Sequence, residues 1–342
     1  MKVLITGIDG YIGTILSQVL LDREHEVVGL DTGFYKEKWL YDGHRQSPPV
    51  IIKDVRNTTL DDLKGIEAVV HMAELSNDPL ALHSKENTYK INYEGSVNFA
   101  KLCKKAGVKR FIYTSSCSIY GKTNTEFVTE KSPTNPQTIY AKCKVMVETQ
   151  LSKLASKNFS PVILRNATAF GPSPRMRFDL VLNNLAGWAW TTKEIRLESD
   201  GTAWRPLIHV ADIAEAIAFT LEAPLKLIHN EIFNIGNNSG NYQVSQLANI
   251  VASVFPGSRV TYGNSGADTR SYRVSFDKIN TIFPGFASKR NAKTGVKELY
   301  KLYKKINLTR EMFEFRGYTR LKQLNYLLKT KKLDKKLFWK QP

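Results

Sequence analysis

Short apolar runs recur along the first half of the chain, at Val3 to Thr6, Val27 to Leu30, Val50 to Ile52, Ala68 to Val70, Phe111 to Tyr113 and Val162 to Leu164. Each has the length of a strand. Most are separated by segments whose apolar residues return every three or four positions, as Ile15, Leu16, Val19 and Leu20 do. Strands alternating with helices need crossovers that bring each new strand in parallel to the last, so the pattern predicts an α/β fold with a doubly wound parallel sheet. The rhythm breaks at Gly171 Pro172 Ser173 Pro174, where a smaller C-terminal lobe is expected to begin. A helical pattern over Ile213 to Leu221 and a strand-like run at Ile232 to Ile235 predict that the chain re-enters the sheet before returning to that lobe. The expected division is a sheet domain over 1–170, re-entered at about 205–236, a second lobe over 171–204 and 237–284, and a helical tail over 285–342.

Length agrees with two lobes, since 342 residues exceed what one core usually holds. The N-terminal MKVLITGIDG lacks the apolar h-region of a signal peptide, and no run approaches the roughly 18 apolar residues of a membrane span. Cys103, Cys117 and Cys143 share no CxxC spacing and suit a reducing compartment, so a cytoplasmic protein is expected. The net charge of +17 is concentrated in the tail: residues 285–342 hold 17 Lys plus Arg against 4 Asp plus Glu, which leaves +4 for the rest. Leu321, Leu324 and Leu328 recur there at helical spacing, as in amphipathic helices docked on the body. A basic surface for nucleic acid, another phosphate-rich polymer or an anionic membrane is the competing reading of the tail.

Candidate chemistry begins with Gly7 Ile8 Asp9 Gly10 Tyr11 Ile12 Gly13, a GxxGxxG between the first strand and the first helix. Glycine permits the tight turn, and the helix N-terminus offers free N–H groups to a pyrophosphate. The next strand ends at Asp31, close to the spacing expected of a carboxylate that binds the adenosine ribose hydroxyls. A carboxylate there repels the extra phosphate of NADP and favours NAD. Further on, Tyr140 and Lys144 stand four apart in TIYAKCKVMVETQLSKL, on one helix face that continues through Val147, Leu151 and Leu154. An ammonium near a phenol favours the phenolate, as a general base for an alcohol requires. Ser116, in the stretch TSSCSIYG, is placed to hydrogen-bond the same substrate oxygen.

In their order, GxxGxxG, Asp31, Asp54 Val55 Arg56, His71 Met72 Ala73, Ser116 and Tyr140xxxLys144 resemble the extended short-chain dehydrogenases, specifically the sugar-nucleotide epimerases and dehydratases. The resemblance runs from Met1 to about Lys278. It implies a Rossmann domain holding NAD at Gly7, Gly10, Tyr11, Ile12, Gly13, Asp31, Asp54, Val55, Met72 and Ala73, with Tyr140 and Lys144 beside it. It implies a Ser116, Tyr140, Lys144 catalytic triad and a substrate-binding lobe that grips a nucleoside diphosphate sugar. It also implies a homodimer formed through helices near Gly95 to Lys105 and Tyr140 to Leu154. For the substrate pyrophosphate it points to Arg205 in DGTAWRPLIHV, with Arg175, Arg177, Arg270 and Arg273 as further candidates. Thr168 stands where the family often has a substrate-binding Asn. His209 is read as structural and Asp212 as the cap of the following helix. No metal site is expected.

The reaction turns on TSSCSIYG. The 4,6-dehydratases of the resembled family, which remove the C5 proton and protonate the departing C6 hydroxyl, carry an Asp and a Glu where this chain has Cys117 and Ser118. A hydroxyl with no activating partner is a poor base and a neutral thiol a weak acid, so elimination is not expected. The 3,5-epimerases of GDP-sugars place a Cys where Ser118 stands, and a one-residue shift in extended backbone turns Cys117 to another side, as pocket lining. A 4-epimerase needs no additional acid or base, only room for the 4-keto sugar to rotate. That is the leading expectation. One-way oxidation or reduction at C4 is the alternative, and a Rossmann protein acting through its basic tail, or as a silent NAD sensor, are alternatives of another class.

Overall fold

The computed structural model describes residues 1–43, 46–76, 84–123, 126–264 and 270–340. The six apolar runs become β1 (Lys2–Thr6), β2 (Glu26–Asp31), β3 (Val50–Ile52), β4 (Ala68–His71), β5 (Arg110–Ser116) and β6 (Ser160–Asn166). Three short strands follow, β7 (Thr168–Phe170), β8 (Glu194–Arg196) and β9 (Trp204–His209). The chain then returns as β10 (Glu231–Ile235), paired parallel to β6, before β11 (Asn241–Gln243) and β12 (Arg259–Thr261). The main sheet has seven parallel strands in the order β3-β2-β1-β4-β5-β6-β10. It is a Rossmann-like α/β fold, with the strand order reversing direction between β1 and β4.

Both faces of this sheet are covered, which is why its strands read as continuous apolar runs. Side chains alternate along each strand: Ile112 faces one layer, while Phe111 and Tyr113 face the other. The first layer is closed by α1 (Gly13–Asp22), and the opposite one by α2 (Ser96–Lys105) and α3 (Ile139–Leu154). Next come α4 (Val181–Thr192), then α5 (Val210–Glu222), which joins α1 in the first layer, and α6 (Val244–Val254). The long tail helices are α7 (Ala292–Lys305) and α8 (Arg320–Lys329).

The tail is not a separate appendage. Val296, Leu299 and Tyr303 of α7 are buried in one cluster with Leu182, Leu185, Leu247 and Val251. Leu324, Leu327, Leu333 and Leu337 cross back and pack on Phe34, Leu75 and Ile91 of the nucleotide-binding half. The cap of α5 also differs from expectation. His209 holds the extended N-cap conformation and its Nδ1 accepts the Ala211 N–H at 3.2 Å. Asp212 lies inside the helix, where its carboxylate accepts from Ser288 Oγ, Arg290 N and Arg290 Nη1 at 2.9, 3.0 and 2.7 Å.

One buried polar network ties the centre of the sheet together. Arg165 of β6 binds Glu148 of α3 at 2.7 Å, and Ser115 of β5 donates to the same carboxylate at 2.5 Å. Arg165 Nη1 donates to Tyr120 Oη at 3.0 Å, and Tyr120 donates to Asn234 Oδ1 of β10 at 2.7 Å. Removing the guanidinium leaves a buried carboxylate without its cation. Arg165→Ala is therefore expected to destabilise the fold by about 3–5 kcal/mol, read by urea unfolding at neutral pH.

Candidate active site

The crevice forms where the strand order reverses. Thr6, the last residue of β1, accepts the N–H groups of Met72 and Ala73 on its Oγ1 at 3.0 and 3.1 Å. That hydroxyl also meets His71 Nδ1 at 2.7 Å, and His71 Nε2 meets Ser96 Oγ at 2.8 Å. Burial, and then the Lys144 charge, push His71 down to about 3, so it stays neutral and serves as a strut. The loops after β1 and β4 are thus stitched side by side. A Cβ on Gly13 would lie 2.4 Å from the Gly7 carbonyl oxygen, and one on Gly7, at φ +75°, 3.2 Å from the Ala73 nitrogen. Only glycine permits this approach, and it leaves the N-terminus of α1 open to a phosphate.

A cleft runs from this loop along the carboxyl ends of β1, β2 and β4. Gly7, Gly10, Tyr11, Ile12, Gly13, Asp31, Asp54, Val55, Met72 and Ala73 all line it. Asp31 accepts the N–H groups of Asp9 and Gly33 at 3.1 and 2.8 Å, which fixes its carboxylate at the cleft wall. Burial, with the Asp9 carboxylate adding, raises Asp31 to about 6. Asp54 is held by the Arg56 backbone, Nε and Nη2, each at 2.8 Å. Tyr11 lines the cleft next to the glycine loop. Its side chain leaves for the second lobe, where Oη donates to the Gly171 carbonyl at 2.6 Å.

Lys144 is buried on α3. Its ammonium contacts the Thr114 carbonyl at 2.5 Å and the Glu74 carboxylate at 2.7 Å, and lies 5.5 Å from the centre of the Tyr140 ring. Tyr113 Oη donates to the other Glu74 oxygen at 2.7 Å. Burial raises the Glu74 pKa against the pull of Lys144. Glu74 lines the cleft and escaped the sequence reading, because an acid directly after His71 Met72 Ala73 carries no periodic signal. Ser116 ends β5 and its Oγ accepts the Ser118 N–H at 3.1 Å, leaving its proton free to donate. Asn166, also missed, is in register with Ser116 on β6 and is buried, with no hydrogen-bond partner for its amide oxygen among the described residues.

Cys117 does not line the cleft. It opens a 3₁₀ turn (Cys117–Tyr120), is 1% exposed among core residues and donates to the Arg165 carbonyl at 3.1 Å; burial pushes its thiol up. The arginines expected at the substrate fall into two groups. Arg177 lines the cleft, paired with Asp179 at 2.9 Å, whereas Arg175 is buried beneath Trp39, with Nη1 on the Lys38 carbonyl at 2.9 Å. Arg205 and Arg273 meet elsewhere, around Trp204. Arg205 Nη1 donates to the Trp204 and Arg270 carbonyls, and Arg273 stacks 4.9 Å from the Trp204 ring. Thr168 sits on β7 opposite Leu207.

The sequence profile of the NAD dependent epimerase/dehydratase family matches residues 3–236. The chain belongs to that family. The UDP-glucose 4-epimerase of Bacillus subtilis (strain 168) is 28% identical over 273 residues, 72% of this chain and 80% of its own. The UDP-glucose 4-epimerase of Yersinia pestis is 30% identical over 271 residues, 70% of this chain and 79% of its own. In fold, the UDP-glucuronic acid 4-epimerase from Bacillus cereus, solved with UDP-glucuronic acid and NAD, superposes with a TM-score of 0.78 at 24% identity. That match covers 90% of this chain and 100% of the other. This family enzyme uses NAD, and its cleft fits the group: a glycine cradle at a helix N-terminus, with a fixed carboxylate at the end of β2.

A carboxylate accepts hydrogen bonds from hydroxyls best when ionised, so protonation of Asp31 is expected to weaken a ribose contact at this wall of the cleft. NAD affinity, measured by calorimetry, is expected to fall as pH drops through about 6, and Asp31→Asn is expected to remove that step.

Proposed function

We propose that the protein is an NAD-dependent 4-epimerase of a nucleoside diphosphate sugar, with a uridine diphosphate sugar the class its relatives support. The observation that carries this reading is the pairing of Tyr140 with a buried, fixed Lys144 at the carboxyl end of β5. The second support is the turn after Ser116. Cys117 is withdrawn into the core, and the buried carboxylate nearby, Glu148, is bound by Arg165 and Ser115. Neither is placed to remove a proton from C5 or to expel a C6 hydroxyl.

In this mechanism Tyr140 takes the C4 hydroxyl proton while Ser116 donates a hydrogen bond to the same oxygen. Held at the glycine loop and Asp31, NAD would supply the hydride acceptor for C4, and rotation of the 4-keto sugar would turn its other face to the re-reduction that follows. Lys144 stabilises the Tyr140 phenolate, and Glu74 moderates that effect by holding a negative charge 2.7 Å from the ammonium. Arg205 and Arg273 lie in the lobe that binds the sugar diphosphate, and Arg177 borders the cofactor. Val296, Leu299, Tyr303, Leu324 and Leu327 of the basic tail are buried against the body, which supports the reading of docked amphipathic helices.

Tyr140→Phe is expected to lower turnover about 10²–10⁴-fold with NAD binding retained; full turnover in that variant would refute the role of Tyr140. Glu74→Gln leaves the Lys144 charge uncompensated. Its pH–rate profile is expected to keep its shape with the acid limb moved to lower pH, whereas an unmoved limb would show that Glu74 only fills space.

A further inference from the structure

The family match ends at residue 236, yet the chain's last segment returns to the cofactor cleft. Gln323 Nε2 donates to the Phe34 carbonyl at 3.0 Å, and Trp339 Nε1 donates to the Thr32 carbonyl at 2.6 Å. Asn87 Nδ2 donates to the Lys335 carbonyl at 2.9 Å, and Arg56 Nη1 to the Lys336 carbonyl at 3.0 Å, with the Arg56 guanidinium 3.8 Å from the Phe338 ring centre. Leu324 and Leu327 pack on Phe34, Leu75 and Ile91. The loops after β2, β3 and β4, which line the cleft, are each gripped by the tail.

Arg320, the first residue of α8, lines the cleft itself and is 4% exposed. Its guanidinium lies 4.0 Å from the centre of the Tyr35 ring. Among the described residues, the cleft is lined by three cations. Lys53 pairs with Asp62 at 2.6 Å and Arg177 with Asp179 at 2.9 Å, whereas Arg320 forms no ion pair and no side-chain hydrogen bond. Asp31 and Asp179 act on this guanidinium only through space and not as ion pairs, so it is buried without a contacting anion, and a dinucleotide brings one to this cleft.

We propose that Arg320 is a phosphate ligand of the bound dinucleotide, and that the tail carrying it is a strap that retains NAD through turnover. The phosphate is that of the pyrophosphate rather than a ribose 2′-phosphate, because the Asp31 carboxylate at the ribose end repels the latter. A cofactor enclosed in this way returns its hydride to the molecule it came from, as epimerisation requires. The inference concerns the cofactor, so it survives a wrong assignment of the sugar.

The test is calorimetric titration of the full-length protein and of Arg320→Met with ADP-ribose, adenosine and 2′-AMP. Loss of a charge-assisted hydrogen bond should weaken ADP-ribose about 10–100-fold and leave adenosine and 2′-AMP unchanged. Equal weakening of all three would make Arg320 a packing residue and overturn the proposal. Weakening confined to 2′-AMP, or no change in any, would overturn it too. Arg320→Lys keeps the charge and the stem, and is expected to bind ADP-ribose with intermediate affinity. Should the Met variant fail to fold, an unchanged ADP-ribose affinity in the Lys variant against a lowered one in Tyr35→Leu would count against the phosphate bond.

Discussion

A buried ammonium sets the terms of this structure. Lys144 cannot be desolvated on α3 without acceptors, and the chain supplies two, the Thr114 carbonyl on β5 and the Glu74 carboxylate in the loop after β4. Meeting that requirement fixes α3 against the sheet and holds the Tyr140 ring 5.5 Å from the charge. It also anchors the β4 loop, whose other end is pinned to β1 by the Thr6 hydroxyl. The loop that lines the crevice and the Lys144–Tyr140 pair are therefore joined through one carboxylate, Glu74.

The parts of the fold legible in the sequence were those carried by local pattern. A parallel sheet buried on both faces writes its strands as apolar runs, and the glycine cradle and Asp31 follow from backbone geometry close to one strand and one helix. Tyr140 and Lys144 are legible because four residues make one helical turn. Contacts across the chain left no such mark. Glu74 is 70 residues from Lys144, and Arg320 reaches the cleft from far beyond the Rossmann domain. Cys117 was misplaced because β5 runs on to Ser116 and then turns into a 3₁₀ helix, so the alternation expected of extended backbone stops one residue before it. Asp212 looked like a cap by composition, but the backbone turns helical at Val210, which makes His209 the capping residue.

The second lobe adds reach rather than a new principle. Tyr11 and Ser173 bind the glycine-rich loop to the segment after β7, through Tyr11 Oη on Gly171 at 2.6 Å and Ser173 Oγ on the Tyr11 carbonyl at 2.9 Å. The arginines at Trp204 stand apart from Arg177, which lines the cleft, and under the proposed function the two groups would serve the sugar diphosphate and the dinucleotide respectively.

The central claim is that hydride leaves and returns at C4 with no proton exchanged on carbon. Its most direct test is mass spectrometry of UDP-sugars incubated with the enzyme in deuterium oxide. The C4 epimer with no carbon-bound deuterium and no free NADH is the expected result. Deuterium at C5, or accumulation of NADH, would contradict it.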